Sequence, residues 1–148
     1  MSSKFTNFRL ALDWTPNINH IGFYVAKEKG FFEKLKIDVE INSPEQDNYK
    51  YSPAKKIELN LTDFALCPTE SIISFRTKKN PFSLCALATI FQNDISAIAV
   101  VEDNEINRPK DLDGKSYASY GARYEDFIIR QLIKNDGGKG NVKIHYRS

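Results

Sequence analysis

Leu12-Asp-Trp-Thr-Pro-Asn-Ile-Asn-His-Ile-Gly-Phe-Tyr24, continued by Val25-Ala-Lys-Glu-Lys-Gly-Phe-Phe32, decides the fold. Phe8, Leu10 and Leu12 alternate before it, as a half-buried strand requires. Pro16 and the Asn17/Asn19 pair break that alternation with turn chemistry, and Asn19 is expected to cap a helix. Ile21, Tyr24 and Val25 then share one helical face, and Gly30 closes the helix as a C-terminal glycine does. The stretch therefore reads as a strand over residues 8–13, a polar elbow, and a helix over about 19–34, with boundaries good to about 2–4 residues. Trp14, Asn17, Asn19 and His20 crowd the C-terminal end of that strand, the edge where open α/β sheets bind ligands.

Outward from there, the same alternation of elements continues. Val39-Glu-Ile-Asn42 is a second strand, so the opening is a βαβ unit with a parallel sheet. Ser43 to Asn48 reads as loop. Ser52-Pro53 begins a helix with a hydroxyl cap and a first-turn proline, carrying Ala54, Ile57 and Leu61 inward. Asp63 to Cys67 is a third strand, and Pro68-Thr-Glu-Ser71 a second elbow, with Thr69 or Ser71 capping a helix over 72–78. The apolar run Phe82 to Ile90 suits a strand buried on both faces, and Ser96 to Val101 another strand. A charged connector from Glu102 to Asp113 leads to a strand over 117–120 and the elbow Gly121-Ala-Arg-Tyr-Glu125. Tyr124, Phe127, Ile128 and Leu132 keep helical spacing up to the Gly137-Gly138 stop, and Val142 to Tyr146 alternates as a last strand.

Composition bounds the function. The 148 residues carry 21 basic and 19 acidic side chains, a balance unlike the clustered basic face of a nucleic-acid binder. A 41% hydrophobic share with 27% charge is that of an ordinary globular domain. No apolar run reaches the ~18 residues of a membrane span, and the first residues lack the apolar core of a secretory leader. A cytoplasmic chain is the expectation as written, and a periplasmic or extracellular one if a leader has been removed. Cys67 and Cys85 stand apart in apolar surroundings, without the spacing of a metal site, and read as two small buried hydrophobes.

Three constellations carry chemistry. Trp14, Asn17, Asn19 and His20 offer an indole face for a planar heterocycle and amides for its ring nitrogens and exocyclic groups. The same residues equally read as a core indole, two turn asparagines and a histidine satisfying a carbonyl. Pro68, Thr69, Glu70 and Ser71 form a helix start whose unpaired N–H groups suit an anion or a polar ligand edge, with a plain helix cap as the simpler account. Tyr117, Tyr120, Gly121, Arg123 and Glu125 repeat the arrangement near the end of the chain, where Arg123 suits a phosphate or carboxylate. No Ser/His/Asp set, glycine-rich phosphate loop or metal-ligand spacing is legible, so no catalytic residue, metal or cofactor is expected.

Leu12 to His20, Phe23 to Phe32, Cys67-Pro-Thr-Glu-Ser71 and Arg108-Pro-Lys-Asp-Leu-Asp-Gly-Lys115 together resemble one family. It contains the fungal thiamine-pyrimidine synthases and the bacterial substrate-binding proteins for thiamine pyrimidine precursors, beside sulfonate and nitrate binders. The resemblance covers about Phe8 to Tyr146. It implies an α/β, type II periplasmic-binding-protein-like fold of two lobes closing on a ligand. Residues 1–97 would form lobe one, and 98–148 the hinge connector and the first part of lobe two, a partial chain by that standard. It implies a binding module for a pyrimidine or related small heterocycle, with no chemistry of its own. Trp14 would stack on the ring, Asn17, Asn19 and His20 would line one wall, and residues 68–71 would present a helix start. Tyr120, Gly121 and Arg123 would face them, and two helix starts would favour a polar or anionic ligand edge. A transporter permease is the implied partner if the chain is exported, and a strand-exchanged homodimer would complete the open sheet edges. The synthases hold pyridoxal phosphate on a lysine, and Cys67 falls at that position with Ser71 near the synthases' histidine. A thiol forms no internal Schiff base, so an enzyme of thiamine-pyrimidine biosynthesis is the alternative rather than the first reading, and a non-functional or interaction fragment whose cleft is never completed is the third.

Overall fold

The structure is a computed structural model and describes residues 5–91, 93, 96–102, 105–119, 121 and 124–146. The chain divides into two compact units, Met1–Gln92 and Asn93–Ser148, each mixed α/β with a parallel sheet.

In the first unit, β1 (Thr6–Ala11) lies between β2 (Ile37–Asn42) and the short β3 (Phe64–Ala65). All six residues of β1 run parallel to β2, from Thr6 opposite Ile37 to Ala11 opposite Asn42. The connection between them is α1 (Ile21–Glu28) and the single turn α2 (Phe31–Lys34). Gly30 separates the two helices at φ 67°, a left-handed conformation that a glycine adopts without penalty, so the expected helix over 19–34 is broken there. Burial deepens along β1, from exposed at Thr6 to Leu10 and Ala11 inside, and Leu12 just beyond it is fully buried. Leu10, Leu12 and Val39 form the core, with Phe23, Tyr24 and Phe32 of the helices laid against it. The best-packed part of the sheet therefore sits directly under the elbow.

α3 (Pro53–Glu58) starts as the sequence requires: the Ser52 hydroxyl accepts from the Lys55 N–H at 3.3 Å and Pro53 occupies the first turn. Ala54 is buried, but Leu61 is 48% exposed, because the helix ends at Glu58 and Leu61 lies past its inward face. Lys56 is buried instead and reaches Asp47 at 3.1 Å, which ties α3 to the 3-10 turn Pro44–Asp47 in the segment expected to be loop. α4 spans Thr69–Thr77.

Two expected strands are not formed. Phe82 N–H bonds back to the Phe75 carbonyl at 2.9 Å, Leu84 N–H to the Phe82 carbonyl at 3.0 Å, and Arg76 Nε donates to the Leu84 carbonyl at 2.9 Å. These bonds fold the start of the 82–90 run onto α4 and bury Leu84, leaving Leu87 and Ile90 exposed. A strand buried on both faces needs cover on both, and none is present there among the described residues. Residues 96–101 are likewise exposed and form no strand. Cys85 is exposed and Cys67 only half-buried, which corrects the reading of both as buried hydrophobes.

The second unit pairs β4 (Ser116–Ser119) in parallel with β5 (Lys143–Tyr146) through α5 (Glu125–Asn135). Ile129 and Ile133 are its buried face, packed with Leu112 and Val142. Phe127, Ile128 and Leu132, the face that spacing picked out, are exposed. The helix carries apolar residues on both sides, and only the position of Leu112 and Val142 selects one. Arg108 clamps Asp136 after the end of α5 through Nε at 2.8 Å and a second guanidinium nitrogen.

Two ion pairs make stability pH-dependent. Arg9 donates to both oxygens of Asp63 through Nε and Nη2, and its backbone N–H adds a third bond, holding that carboxyl at about 2 against the usual 3.8. Arg108 and the Lys110 N–H hold Asp136 at about 2 in the same way. A carboxyl whose pKa is lowered on folding stabilises fully above its unfolded value and loses that contribution as pH falls toward the folded one. Stability from both pairs is therefore complete above about pH 4 and disappears toward pH 2. Urea midpoints measured from pH 5 to pH 2 are expected to fall less steeply in Asp63→Asn than in the parent; identical slopes would contradict the assignment.

Candidate functional site

The elbow after β1 is a built corner. Asn17, extended at φ −150°, caps the 3-10 turn Ile18–His20 that leads into α1, in place of the expected cap at Asn19: its Oδ1 accepts from the Asn19 N–H at 2.9 Å. Its Nδ2 donates to the Thr15 carbonyl at 2.9 Å, so both ends of the amide are used. The Asn17 N–H donates to His20 Nδ1 at 3.1 Å, which places the ring hydrogen on Nε2, and Nε2 donates to Asp13 Oδ1 at 2.8 Å. His20 is 1% exposed. Asn17 and His20 thus tie the corner together from inside, while the Asp13 side chain stays 42% exposed and its Oδ2 has no partner among the described residues.

Trp14 projects from this turn, 52% exposed, and meets Tyr49 with ring centroids 5.6 Å apart and planes tilted by 56°. Tyr49 lies beyond the C-terminal end of β2, so the two rings share one edge of the sheet. The Tyr49 hydroxyl donates to Thr15 Oγ1 at 2.7 Å, and Thr15 donates to Glu45 Oε1 at 3.1 Å. The other Glu45 oxygen accepts from Ser43 at 2.9 Å. Asn48 and Tyr49 both take positive φ, 53° and 58°, a conformation costly for an aromatic residue and held here by that chain of hydroxyl bonds. Tyr49, Glu45 and Asp13 were not singled out from sequence. The signal was available: parallel strands end on one edge, so residues just after the second strand join those just after the first.

The second elbow joins the same edge beyond β3. Pro68 occupies the cap of α4, so Thr69 and Ser71 lie inside the first turn and neither caps it as expected. The Ser71 side chain lies close to the Cys67 thiol and acts to lower its pKa, against the larger effect of burial. Burial pushes that thiol up, and the Asp13 and Glu70 carboxylates nearby push in the same direction. A raised thiol stays protonated at neutral pH and is a poor nucleophile. Glu70 places negative charge at the start of α4, as Glu125 and Asp126 do at the start of α5. In each unit, then, acidic side chains offset part of the positive end of the helix.

Asn19 is exposed, with no hydrogen bond from its side-chain amide among the described residues. Among the described residues it is the one polar side chain lining an open hollow of about 600 Å³ beside α1, with Ile18, Ile21, Phe23 and Phe91. A single amide against apolar walls offers little to read the polar edge of a heterocycle, which puts the corner ahead of the hollow as the candidate site.

In the second unit, Ser119 is buried; it accepts from the Gly121 N–H at 2.9 Å and donates to Glu125 at 2.9 Å, while the Tyr117 hydroxyl donates to Glu125 at 2.8 Å. Gly121 sits at φ 74°. Tyr120 and Arg123 fall outside the described residues. No group of three or more His, Cys, Asp or Glu side chains suited to a metal occurs among the described residues, and no described helix is long and apolar enough to cross a membrane.

Comparison with known proteins places this geometry in context. A protein of Halalkalibacterium halodurans named formylaminopyrimidine-binding protein is 26% identical over 130 residues, covering 86% of this chain and 37% of its own length. A protein of Haemophilus influenzae named as a candidate thiamine biosynthesis protein is 24% identical over 128 residues, covering 86% of this chain and 39% of its own. The chain thus spans less than two fifths of the length of these curated relatives. Residues 17–145, which take in the Asn17–His20 turn, the second elbow, β4, α5 and all but the last residue of β5, match the family described as NMT1/THI5 like, and the chain belongs to that family.

Proposed function

We propose that this chain is part of a solute-binding domain for a pyrimidine precursor of thiamine, and that it binds without chemistry of its own. The observation that carries the reading is the half-exposed Trp14–Tyr49 pair, with the exposed Asp13 carboxylate at the residue preceding Trp14 in the same turn. Aromatic faces hold a flat ring, and a fixed acceptor beside them selects one bearing an amino group. The name of the Halalkalibacterium halodurans relative supports the same ligand class. Asn19, with an amide free of protein partners among the described residues, is the second polar contact in this reading, and the start of α4 at residues 68–71 the third. Gly121, with Tyr120 and Arg123, belongs to the same proposal for the second unit. The type II periplasmic-binding-protein-like architecture, with lobe one at 1–97 and the beginning of lobe two at 98–148, is part of it too. So is delivery to a transporter permease if the chain is exported.

The pyridoxal-phosphate chemistry of the synthase branch does not fit these residues. Cys67 offers a thiol held protonated where an amine is required, which favours binding over synthesis.

Trp14 is the only tryptophan, so its emission reports on the site directly. Titration with 4-amino-5-hydroxymethylpyrimidine or its formylaminomethyl relative is expected to quench that emission saturably and to release heat in calorimetry. Neither quenching nor heat with either compound would overturn the reading.

A further inference from the structure

We infer that Asp13 is the residue that selects a 4-amino over a 4-oxo pyrimidine, and that buried His20 positions its carboxylate by holding one oxygen and leaving the other to face the ligand. The inference rests on the proposed function and names a determinant within that site.

His20 is 1% exposed and both its ring nitrogens are committed. Nδ1 accepts from the Asn17 N–H at 3.1 Å, so the ring hydrogen lies on Nε2 and is given to Asp13 Oδ1 at 2.8 Å. Asn17 is itself held by the Asn19 N–H and the Thr15 carbonyl, both at 2.9 Å. Each group in this series has one role available, and the last assigns Oδ1 inward. Oδ2 remains an acceptor without a partner among the described residues, on a side chain 42% exposed, one residue from the half-exposed Trp14. An ionised carboxylate oxygen accepts hydrogen bonds and donates none. It therefore favours an exocyclic –NH2 on a ring stacked at Trp14 and disfavours a carbonyl at the same position. Glu45 does not substitute for it, because Thr15 and Ser43 occupy its two oxygens.

The His20 tether gives the proposal a consequence that a merely structural Asp13 does not share. In Asp13→Asn, the Nε2–H still requires an acceptor, so the amide oxygen takes the Oδ1 position and the –NH2 takes the place of Oδ2. An acceptor facing the ligand becomes a donor, at nearly constant shape. Preference is expected to invert: the parent binds 4-amino-5-hydroxymethylpyrimidine at least about tenfold more tightly than the 4-oxo counterpart, and D13N binds the 4-oxo compound more tightly. The readout is Trp14 quenching by each compound in the full 148-residue chain, with far-UV circular dichroism confirming that the variant folds. Equal affinity of the parent for both compounds would overturn the role of Asp13 while leaving the proposed function intact. A D13N variant that keeps the 4-amino preference would do the same. A parent chain that binds neither compound would remove the proposed function and this inference with it.

Discussion

Trp14→Ala is expected to weaken binding of 4-amino-5-hydroxymethylpyrimidine about 30-fold, in line with the ~1–3 kcal/mol that stacking on an aromatic face contributes per base. The indole is half-exposed and its contact with Tyr49 is a tilted one, so truncation opens no cavity in the core of Leu10, Leu12 and Val39. Thermal unfolding should move by no more than about 1 kcal/mol, as for a surface aromatic pair. Because the fluorophore is lost with the side chain, calorimetry is the measurement. Trp14→Phe separates stacking from shape: it should recover most of the affinity, since the ring face is retained. A variant that binds as tightly as the parent would show that the rings at this edge hold nothing.

The second large effect concerns stability in the other unit. A methyl group added at Gly138 would lie 2.6 Å from Ile133 Cγ2, 2.7 Å from Asp113 Oδ2 and 3.1 Å from the Ile133 carbonyl. None of these neighbours can yield. Ile133 is fully buried, and Asp113 is pinned by the Lys139 N–H and, at 2.6 Å, by the Asn141 N–H, contacts that hold its carboxyl below the usual range. Gly138→Ala should therefore cost about 3 kcal/mol, the upper part of the range for overpacking a closed site. A core of four buried side chains, Leu112, Ile129, Ile133 and Val142, has little stability to spare. Urea titration followed by far-UV circular dichroism should show the β4–α5–β5 signal lost at markedly lower denaturant. Gly137→Ala is the contrast: its added methyl meets nothing, and only the positive φ of 87° is penalised, by about 1 kcal/mol. Equal losses in the two variants would show that the clash is relieved by movement of the 138–141 loop.

Much of the backbone was legible because local chemistry determines it. Phe8 and Leu10 alternate into a strand, Gly30 ends α1 where a positive φ is needed, and Ser52-Pro53 starts α3, all from groups within four residues of one another. The elbow after β1 was located as a site candidate by the same means. Assigning roles inside it was not possible locally. Asn17 and Asn19 have the same side chain at adjacent alternating positions, and which one caps depends on the extended backbone at Asn17 and on His20 being drawn inward by Asp13. Tyr49 and Glu45 entered the corner only because β1 and β2 are in register from Thr6–Ile37 to Ala11–Asn42, which brings the segment after one beside the segment after the other.

Apolar periodicity misled where it reported hydrophobicity without a neighbour. The 82–90 and 96–101 runs are apolar enough for strands but pair with none; the first is bent back onto α4 by the bonds to Phe75 and Arg76, which bury Leu84 alone, and the second lies exposed. In α5 the residues 127, 128 and 132 are as hydrophobic as 129 and 133, and the buried pair was chosen by Leu112 and Val142 from distant parts of the chain. By itself, then, the sequence determined the parallel α/β class and the corner around Trp14, since these follow from turn, cap and strand preferences written within a few residues, and its motifs carried the resemblance to the family. The tertiary structure alone decided which polar atoms in that corner are consumed and which remain available. Hydrogen-bond satisfaction is a property of atoms brought together in space, and no spacing along the chain encodes it.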